Sequence, residues 1–200
     1  MGSIEVNWEN FLRKGDEPSF SFIYNAHVDD LFSYGISMGF QKENCKDAIQ
    51  DTFYKLYISR DHLKHVENIT AYIFKSFKYR LFDMAKKISG AVDIDATAEL
   101  FIIDVTVLDD LIDEETKDII KNKVTSLLKS LTANQREVVY LKYMIGLQHK
   151  EIAEILGIEE ESSRKLLYRA IETLRKKANG ENQPNGLQLI LFLYSFSRLF

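Results

Sequence analysis

Apolar side chains recur at steps of three and four residues between positions 8 and 87. That spacing places them on one face of an α-helix. The recurrence predicts helical structure through residues 20–38, a second helix over 46–57 and a third over 70–87. Residues 16–18, Asp-Glu-Pro, have the form of a helix start, because a proline in the first turn sacrifices no backbone hydrogen bond.

A second block of helical periodicity starts near Leu108. It predicts a helix over 113–131, another between Thr132 and Gly146, a short helix over 149–156 and a long helix from 159 or 160 to about 177. Thr132 and Gln135 have the spacing of a capping box, in which each side chain accepts a hydrogen bond from the other residue's backbone N–H. A glycine follows two of these helices, as is common at helix ends.

The remaining segments separate the blocks. No period persists over residues 88–107, which are predicted to be a linker, and residues 178–186 are rich in turn-forming residues. The predicted fold class is all-α, with two small helical domains joined by an acidic linker and followed by an apolar C-terminal helix. The predicted boundaries are 1–87, 88–107, 108–177 and 178–200.

Composition agrees with a helical protein of the cytoplasm. Two prolines and nine glycines are too few for a fold built on many tight turns. The single cysteine, Cys45, excludes an internal disulfide and a multi-cysteine zinc site, which fits a reducing compartment. The first residues lack the pattern of a signal peptide, and no apolar run reaches the roughly 20 residues that span a bilayer. We therefore expect a cytoplasmic protein without membrane insertion.

The charge is distributed unevenly along the chain. A net charge of -4 argues by itself against a nucleic-acid binder. Residues 61–87, however, contain six Lys or Arg and three acidic residues, and residues 162–177 contain six Lys or Arg and one Glu. Residues 88–115 between them contain nine acidic residues and no Lys or Arg. Two basic segments on either side of an acidic one are consistent with a polyanionic partner.

Residues 150–158 have the pattern of a helix-turn-helix. Ile152, Ala153 and Leu156 fall on one face of its first helix, and the small Ala153 lets a second helix approach closely. Gly157 supplies the positive φ of a tight turn, and Ile158 is expected to pack in the corner. The second helix carries four side chains suited to a DNA major groove: Arg164, Lys165, Tyr168 and Arg169. A helical hairpin with a solvated charged face is the alternative.

Several stretches resemble bacterial sigma factors. Residues 131–138 (LTANQREV) and 146–153 (GLQHKEIA) look like the motif of sigma domain four, and residues 47–57 (DAIQDTFYKLY) look like the domain-two helix that docks on RNA polymerase. The opening residues Trp8, Phe11, Gly15-Asp16-Glu17 and Phe20 resemble the extracytoplasmic-function group, whose members have only domains two and four. The resemblance covers about residues 8–87 and 108–177.

This resemblance implies a transcription initiation factor that binds core RNA polymerase, directs it to specific promoters and helps to melt DNA. In domain two, the family's polymerase-binding positions fall on Asp47, Gln50 and Asp51. Carboxylates and an amide on one helix face suit arginine partners. An ordinary solvated helix face is the alternative.

The promoter-melting helix of the family matches residues 72–87. Its DNA-binding positions fall on Lys75, Lys78, Tyr79 and Arg80. Aromatic rings and cations suit an unstacked base and its phosphate, although Phe74 and Phe77 are open to a core role, which we favour for Phe77. This sequence has Tyr79 where the family often has Asn and Tyr72 where it often has Trp, so the promoter sequence is not implied.

In domain four, the family's DNA-contacting positions fall on the same four residues of the second helix. Glu160, Glu161 and Leu166 depart from the family pattern, and the two carboxylates predict weak DNA binding by the isolated domain. The acidic linker would occupy polymerase channels that otherwise hold nucleic acid, with a solvated linker as the alternative. Whether an anti-sigma factor binds the chain is left open.

Other function classes find less support. Asp61-His62 and His65 suggest metal ligands at two positions, i and i+3, but no ligand at a third position is evident, and the sequence has no glycine-rich phosphate loop. We therefore expect no catalytic residues, no metal and no cofactor. The main alternative is a helix-turn-helix regulator that does not bind core polymerase as a sigma factor. Such a protein would need neither the helix at 47–57 nor the acidic linker, so both features argue against it.

The tail, residues 187–200, returns to helical spacing. Its large apolar residues recur at i, i+3, i+4 and i+7, so an amphipathic helix is predicted. Because an exposed patch of this kind promotes aggregation, we expect the tail to dock on the chain's own domains and to inhibit them. A tail that completes the core of domain four is the alternative.

Overall fold

The fold is described by a computed structural model for residues 3–89, 101–103 and 114–180. The regular elements in these ranges are helices, which confirms the predicted all-α class. They are α1 (Ile4–Lys14), α2 (Glu17–Asn25), α3 (Val28–Ser37), α4 (Lys42–Ile58), a 3-10 turn (Arg60–His62), α5 (Ile69–Ser89), α6 (Glu114–Lys129), α7 (Ala133–Tyr143), α8 (His149–Leu156) and α9 (Glu160–Gly180). Two compact units form, mainly from α1–α5 and mainly from α6–α9.

Local capping sets the boundary between α1 and α2. Gly15 ends α1 with φ +66°, and Asp16 caps α2 by accepting a hydrogen bond from Ser19 N–H at 3.1 Å. The hydrogen bonds with Ser19 lower the pKa of Asp16. The predicted helix start at 16–18 is confirmed. Helix α1 was not predicted as a separate element. Only two of its side chains, Trp8 and Phe11, are buried, so its apolar residues form a weak helical period.

Side chains from α1 to α5 form the core of the first unit. Those with almost no exposed surface include Phe11, Ile23, Leu31, Tyr34, Leu56, Ile73, Phe74, Phe77 and Leu81. Helix α3 approaches α4 and α5 at Gly35, where an added Cβ would lie 2.6 Å from Cys45 Sγ. Burial, with a smaller effect of Glu43, raises the pKa of the Cys45 thiol to about 11.

A buried histidine joins the α2–α3 corner to the start of α5. His27 Nδ1 lies 2.7 Å from Ile23 O, and Nε2 lies 3.0 Å from Thr70 Oγ1. With the proton assigned to Nδ1, the ring donates to the carbonyl and accepts from the hydroxyl. Burial lowers the pKa of His27, so this arrangement depends on a neutral ring.

The second unit begins its central helix with the predicted capping box. Gln135 N–H donates to Thr132 Oγ1 at 3.3 Å, and Thr132 N–H donates to Gln135 Oε1 at 3.0 Å. Helix α7 ends at Tyr143, and Gly146 follows with φ +83°. Helix α8 has the predicted bounds, and Gly157 has the positive φ, +67°, that the sequence predicted.

Part of the predicted linker is anchored on α7. The Phe101 ring lies 5.5 Å from the Tyr140 ring, and Phe101 O accepts a hydrogen bond from Arg136 Nε at 2.5 Å. Phe101 and Ile103 are buried, whereas Ile102 between them is 61% exposed, which is the alternation of an extended segment. The segment 88–107 therefore contains a packed stretch, and α5 extends to Ser89.

The predicted apolar tail helix lies outside the described residues, so it stays a prediction. Within the described ranges, no helix combines the length and the apolar character needed to cross a membrane.

Candidate nucleic-acid interface

Helix α9 presents the predicted DNA-contacting side chains on one exposed face. These four residues are Arg164, Lys165, Tyr168 and Arg169, and Tyr168 has 65% of its surface exposed. The opposite face is buried through Ser163, Leu167, Ala170 and Leu174. Because the buried positions recur at three- and four-residue steps, the helix turns three cations and an aromatic ring toward solvent together.

Two of these cations are already paired within the helix. Arg164 forms an ion pair with Glu160, and Lys165 Nζ lies 3.6 Å from Glu161 Oε1. Exposed i,i+4 pairs are each worth about 0.3–0.5 kcal/mol. The two carboxylates therefore do more than the sequence reasoning assigned to them, since any anion that binds Arg164 or Lys165 must compete with them.

A side-chain contact joins the two helices of the helix-turn-helix. His149 Nδ1, at the start of α8, lies 3.1 Å from the Oγ of the buried Ser163 on α9. Burial lowers the pKa of His149, and nearby Lys142 and Arg164 lower it further. Sequence reasoning missed this contact, because the two residues are fourteen positions apart on different helices.

The turn itself differs from its prediction in one residue. Ile152 and Ala153 are buried as predicted, but Ile158 is 37% exposed, so its expected packing in the corner is wrong. Ile155 is buried, whereas Leu156 is only half-buried. The buried face of α8 is thus rotated slightly from the one that the sequence indicated.

In the first unit, α4 exposes two of the three residues predicted to bind polymerase. Asp47 and Gln50 are exposed, whereas Ala48 and Ile49 between them are buried. Asp51 is half-buried and belongs to a different environment. Asp47 and Gln50 therefore form a small polar surface that an external partner can reach.

Asp51 bonds with Arg80, a residue that the resemblance assigned to DNA. Arg80 Nε donates to Asp51 Oδ2 at 2.7 Å, and Arg80 Nη2 donates to the same oxygen. The side chains are 24% exposed for Arg80 and 40% exposed for Asp51. The pair joins α4 to α5 across twenty-nine positions of sequence, which sequence reasoning did not predict.

The other predicted DNA contacts of α5 differ in their accessibility. Tyr79 is 57% exposed, whereas Lys75 and Lys78 are half-buried. Phe74 and Phe77 have no exposed surface, so the core alternative is confirmed for both. A cleft of about 230 Å³ between α4 and α5 is lined by Thr52, Lys55, Leu56, Tyr72, Ser76, Tyr79, Arg80 and Asp83.

An apolar groove of about 740 Å³ lies across α2, α3 and α4. It is lined by Phe20, Tyr24, Val28, Asp29, Phe32, Lys46, Ile49, Gln50, Phe53, Tyr54 and Tyr57. Sequence reasoning missed this groove. The available signal was the pair Tyr54 and Tyr57, two large aromatic residues that fall outside the inward face of α4 and are exposed.

A family model matches part of the chain, and two sigma factors are similar to most of it. The family described as Sigma-70, region 4 matches residues 121–174. The ECF RNA polymerase sigma factor SigM of Bacillus subtilis (strain 168) is 27% identical over 163 residues, which cover 78% of this chain and 93% of SigM. SigW of the same organism is 23% identical over 172 residues, which cover 83% of this chain and 92% of SigW.

A solved structure shares the fold. The structure of CnrH in complex with the cytosolic domain of CnrY superimposes with a TM-score of 0.59 at 18% identity. The match covers 90% of this chain and 100% of that chain.

Proposed function

The chain belongs to the extracytoplasmic-function group of the sigma-70 family, and on that premise we propose how it performs transcription initiation. It binds core RNA polymerase through its first unit and directs the polymerase to specific promoters through both units. The observation that carries this proposal is the exposed face of α9, with Arg164, Lys165, Tyr168 and Arg169 aligned on a helix-turn-helix.

The α9 face supplies upstream promoter recognition. A guanidinium binds a guanine edge through two hydrogen bonds, and a lysine neutralises a phosphate. Because Glu160 and Glu161 pair with Arg164 and Lys165, the isolated unit binds DNA weakly. Polymerase compensates by holding both promoter-binding units on one DNA molecule, which raises their effective concentration.

Helix α4 supplies the polymerase contact through its exposed Asp47 and Gln50. Exposed carboxylate and amide oxygens accept hydrogen bonds from arginine side chains of a partner. The groove beside Gln50 adds apolar and aromatic area, and aromatic residues are enriched where protein partners bind. An anti-sigma factor is a further candidate for this groove.

Helix α5 supplies contacts to the melted promoter strand. Tyr79 offers an exposed ring on which an unstacked base can lie, and Lys75, Lys78 and Arg80 offer cations for its phosphates. The chain works in the cytoplasm, where core polymerase and promoter DNA are, and it has no turnover chemistry of its own. The acidic linker occupies polymerase channels that otherwise hold nucleic acid, and the tail inhibits the two units.

Affinity measurements with matched variants test this assignment. Arg164→Ala and Arg169→Ala should each weaken promoter binding by the polymerase complex. A base contact is worth about 1–3 kcal/mol and changes specificity, whereas a phosphate contact weakens all promoters alike. Arg175→Ala is the control, because Arg175 lies on the same helix and pairs with Glu172 at 3.2 Å. Equal promoter affinities for all three variants would refute the assignment of α9.

A further inference from the structure

Two side chains that the family resemblance assigns to different partners are bonded to each other. Arg80 directs both Nε and Nη2 at Asp51 Oδ2, with the Nε distance at 2.7 Å. A planar guanidinium whose two N–H groups donate to the same oxygen has little freedom to rotate. The pair therefore fixes where the Arg80 side chain lies between α4 and α5.

The pair leaves binding capacity on Arg80. A guanidinium has five N–H donors, and the bond to Asp51 occupies Nε and one hydrogen of Nη2. The donors on Nη1 take part in none of the hydrogen bonds found among the described residues. Arg80 can therefore bind an anion while Asp51 holds it, and DNA need not break the internal pair first.

The surroundings of Arg80 suit a nucleic-acid strand. Arg80 lies in the cleft between α4 and α5 together with Lys55, a second cation, and Tyr79, whose ring is exposed. One carboxylate, Asp83, also lines this cleft, so the cations of the lining outnumber its acids by two to one. A cation beside an exposed ring is the combination that binds a phosphate and its unstacked base. Among the described residues, Asp51 is the carboxylate that pairs with Arg80.

We propose that Asp51 is a positioning residue for promoter binding, which holds the Arg80 guanidinium in the α4–α5 cleft so that it binds a phosphate of the promoter strand. This role rests on the proposed function and goes beyond it, because it assigns Asp51 to DNA binding through Arg80. The polymerase contact of α4 is then made by Asp47 and Gln50 without Asp51.

The test uses the full chain with core RNA polymerase and a fluorescent promoter duplex. Core affinity, promoter affinity as a function of salt, and Tm are measured for the wild type, Asp51→Asn, Arg80→Gln and the double variant. Glu43→Gln is the control, since it removes one negative charge from the exposed start of the same helix. Asp51→Glu keeps the carboxylate and provides a second variant if Asp51→Asn is poorly folded.

The expected result is specific to positioning. Asp51→Asn should bind core polymerase like the wild type but bind the promoter about tenfold less tightly, which corresponds to one charge-assisted contact. Its salt slope should fall by about one, as for a lost phosphate contact. The double variant should be no weaker than Arg80→Gln alone, because Asp51 acts through Arg80. Asp51→Glu should retain most of the affinity.

Other outcomes overturn the proposal in distinguishable ways. A loss of core affinity would make Asp51 a polymerase contact, and tighter promoter binding would mean that Asp51 sequesters Arg80. A lower Tm with an unchanged salt slope would leave only a structural role. A wild-type chain that does not bind core polymerase would instead refute the proposed function, and this inference with it.

Discussion

Gly35→Ala should destabilise the first unit, although alanine is the better helix former. Gly35 lies inside α3, where replacing an exposed glycine by alanine gains about 1 kcal/mol. Here the new Cβ would lie 2.6 Å from Cys45 Sγ and 3.0 Å from Phe77 Cζ. Both neighbours have no exposed surface, so neither can move into solvent.

The magnitude follows from these two opposing effects. Overpacking a core costs about 1–3 kcal/mol, and the gain in helix propensity offsets about 1 kcal/mol of it. A net loss of about 1 kcal/mol in the free energy of unfolding is therefore expected. For a unit of this size, that corresponds to a fall in Tm of about 4–8 °C.

Urea unfolding of four proteins checks this reasoning: the wild type, Gly35→Ala, Cys45→Ala and the double variant. Cys45→Ala removes the closer obstacle, so the double variant should be more stable than the sum of the single losses implies, by about 1–2 kcal/mol. A Gly35→Ala protein that is more stable than the wild type would refute the reasoning, because helix propensity would then outweigh the contact.

Three further predictions concern other parts of the structure. Phe101→Ala should lower the free energy of unfolding by about 3 kcal/mol or more, whereas Ile102→Ala, at the exposed neighbouring position, should change it little; equal losses would contradict the anchoring of this segment on α7. Because burial lowers the pKa of His27, its contribution to stability is full above its unfolded-state pKa of about 6.5 and declines as the pH falls below that value. Unfolding titrations between about pH 8 and about pH 5 should show that His27→Gln loses this decline. An unchanged decline would assign it to other groups. Burial and a raised pKa should make Cys45 resist alkylation until the chain unfolds, so rapid labelling under native conditions would show that the first unit opens locally.

Sequence reasoning succeeded where a feature depends on neighbouring residues. The capping box of Thr132 and Gln135, the positive φ of Gly157 and the bounds of α8 are all local, so their residue types and spacing were sufficient. The exposed face of α9 also followed from spacing alone, because the buried positions of one helix recur with its period. Helix α1 shows the limit, since two buried aromatic residues in eleven make a weak period.

Contacts between elements could not be predicted in the same way. The Asp51–Arg80 pair and the His149–Ser163 contact depend on how two helices pack, which the sequence does not reveal residue by residue. The anchoring of Phe101 depends on a half-buried arginine of α7, whose donors no sequence period identifies. The apolar groove across α2–α4 requires three helices to be in place before its aromatic lining comes together.

Run-off transcription with core RNA polymerase on a promoter library tests the central claim most directly. Core polymerase with the full chain should initiate at a defined set of promoters that core polymerase alone does not use. With Arg164→Ala and Arg169→Ala together, those promoters should lose initiation, whereas Arg175→Ala should retain it. The same start sites with and without the chain would contradict the account.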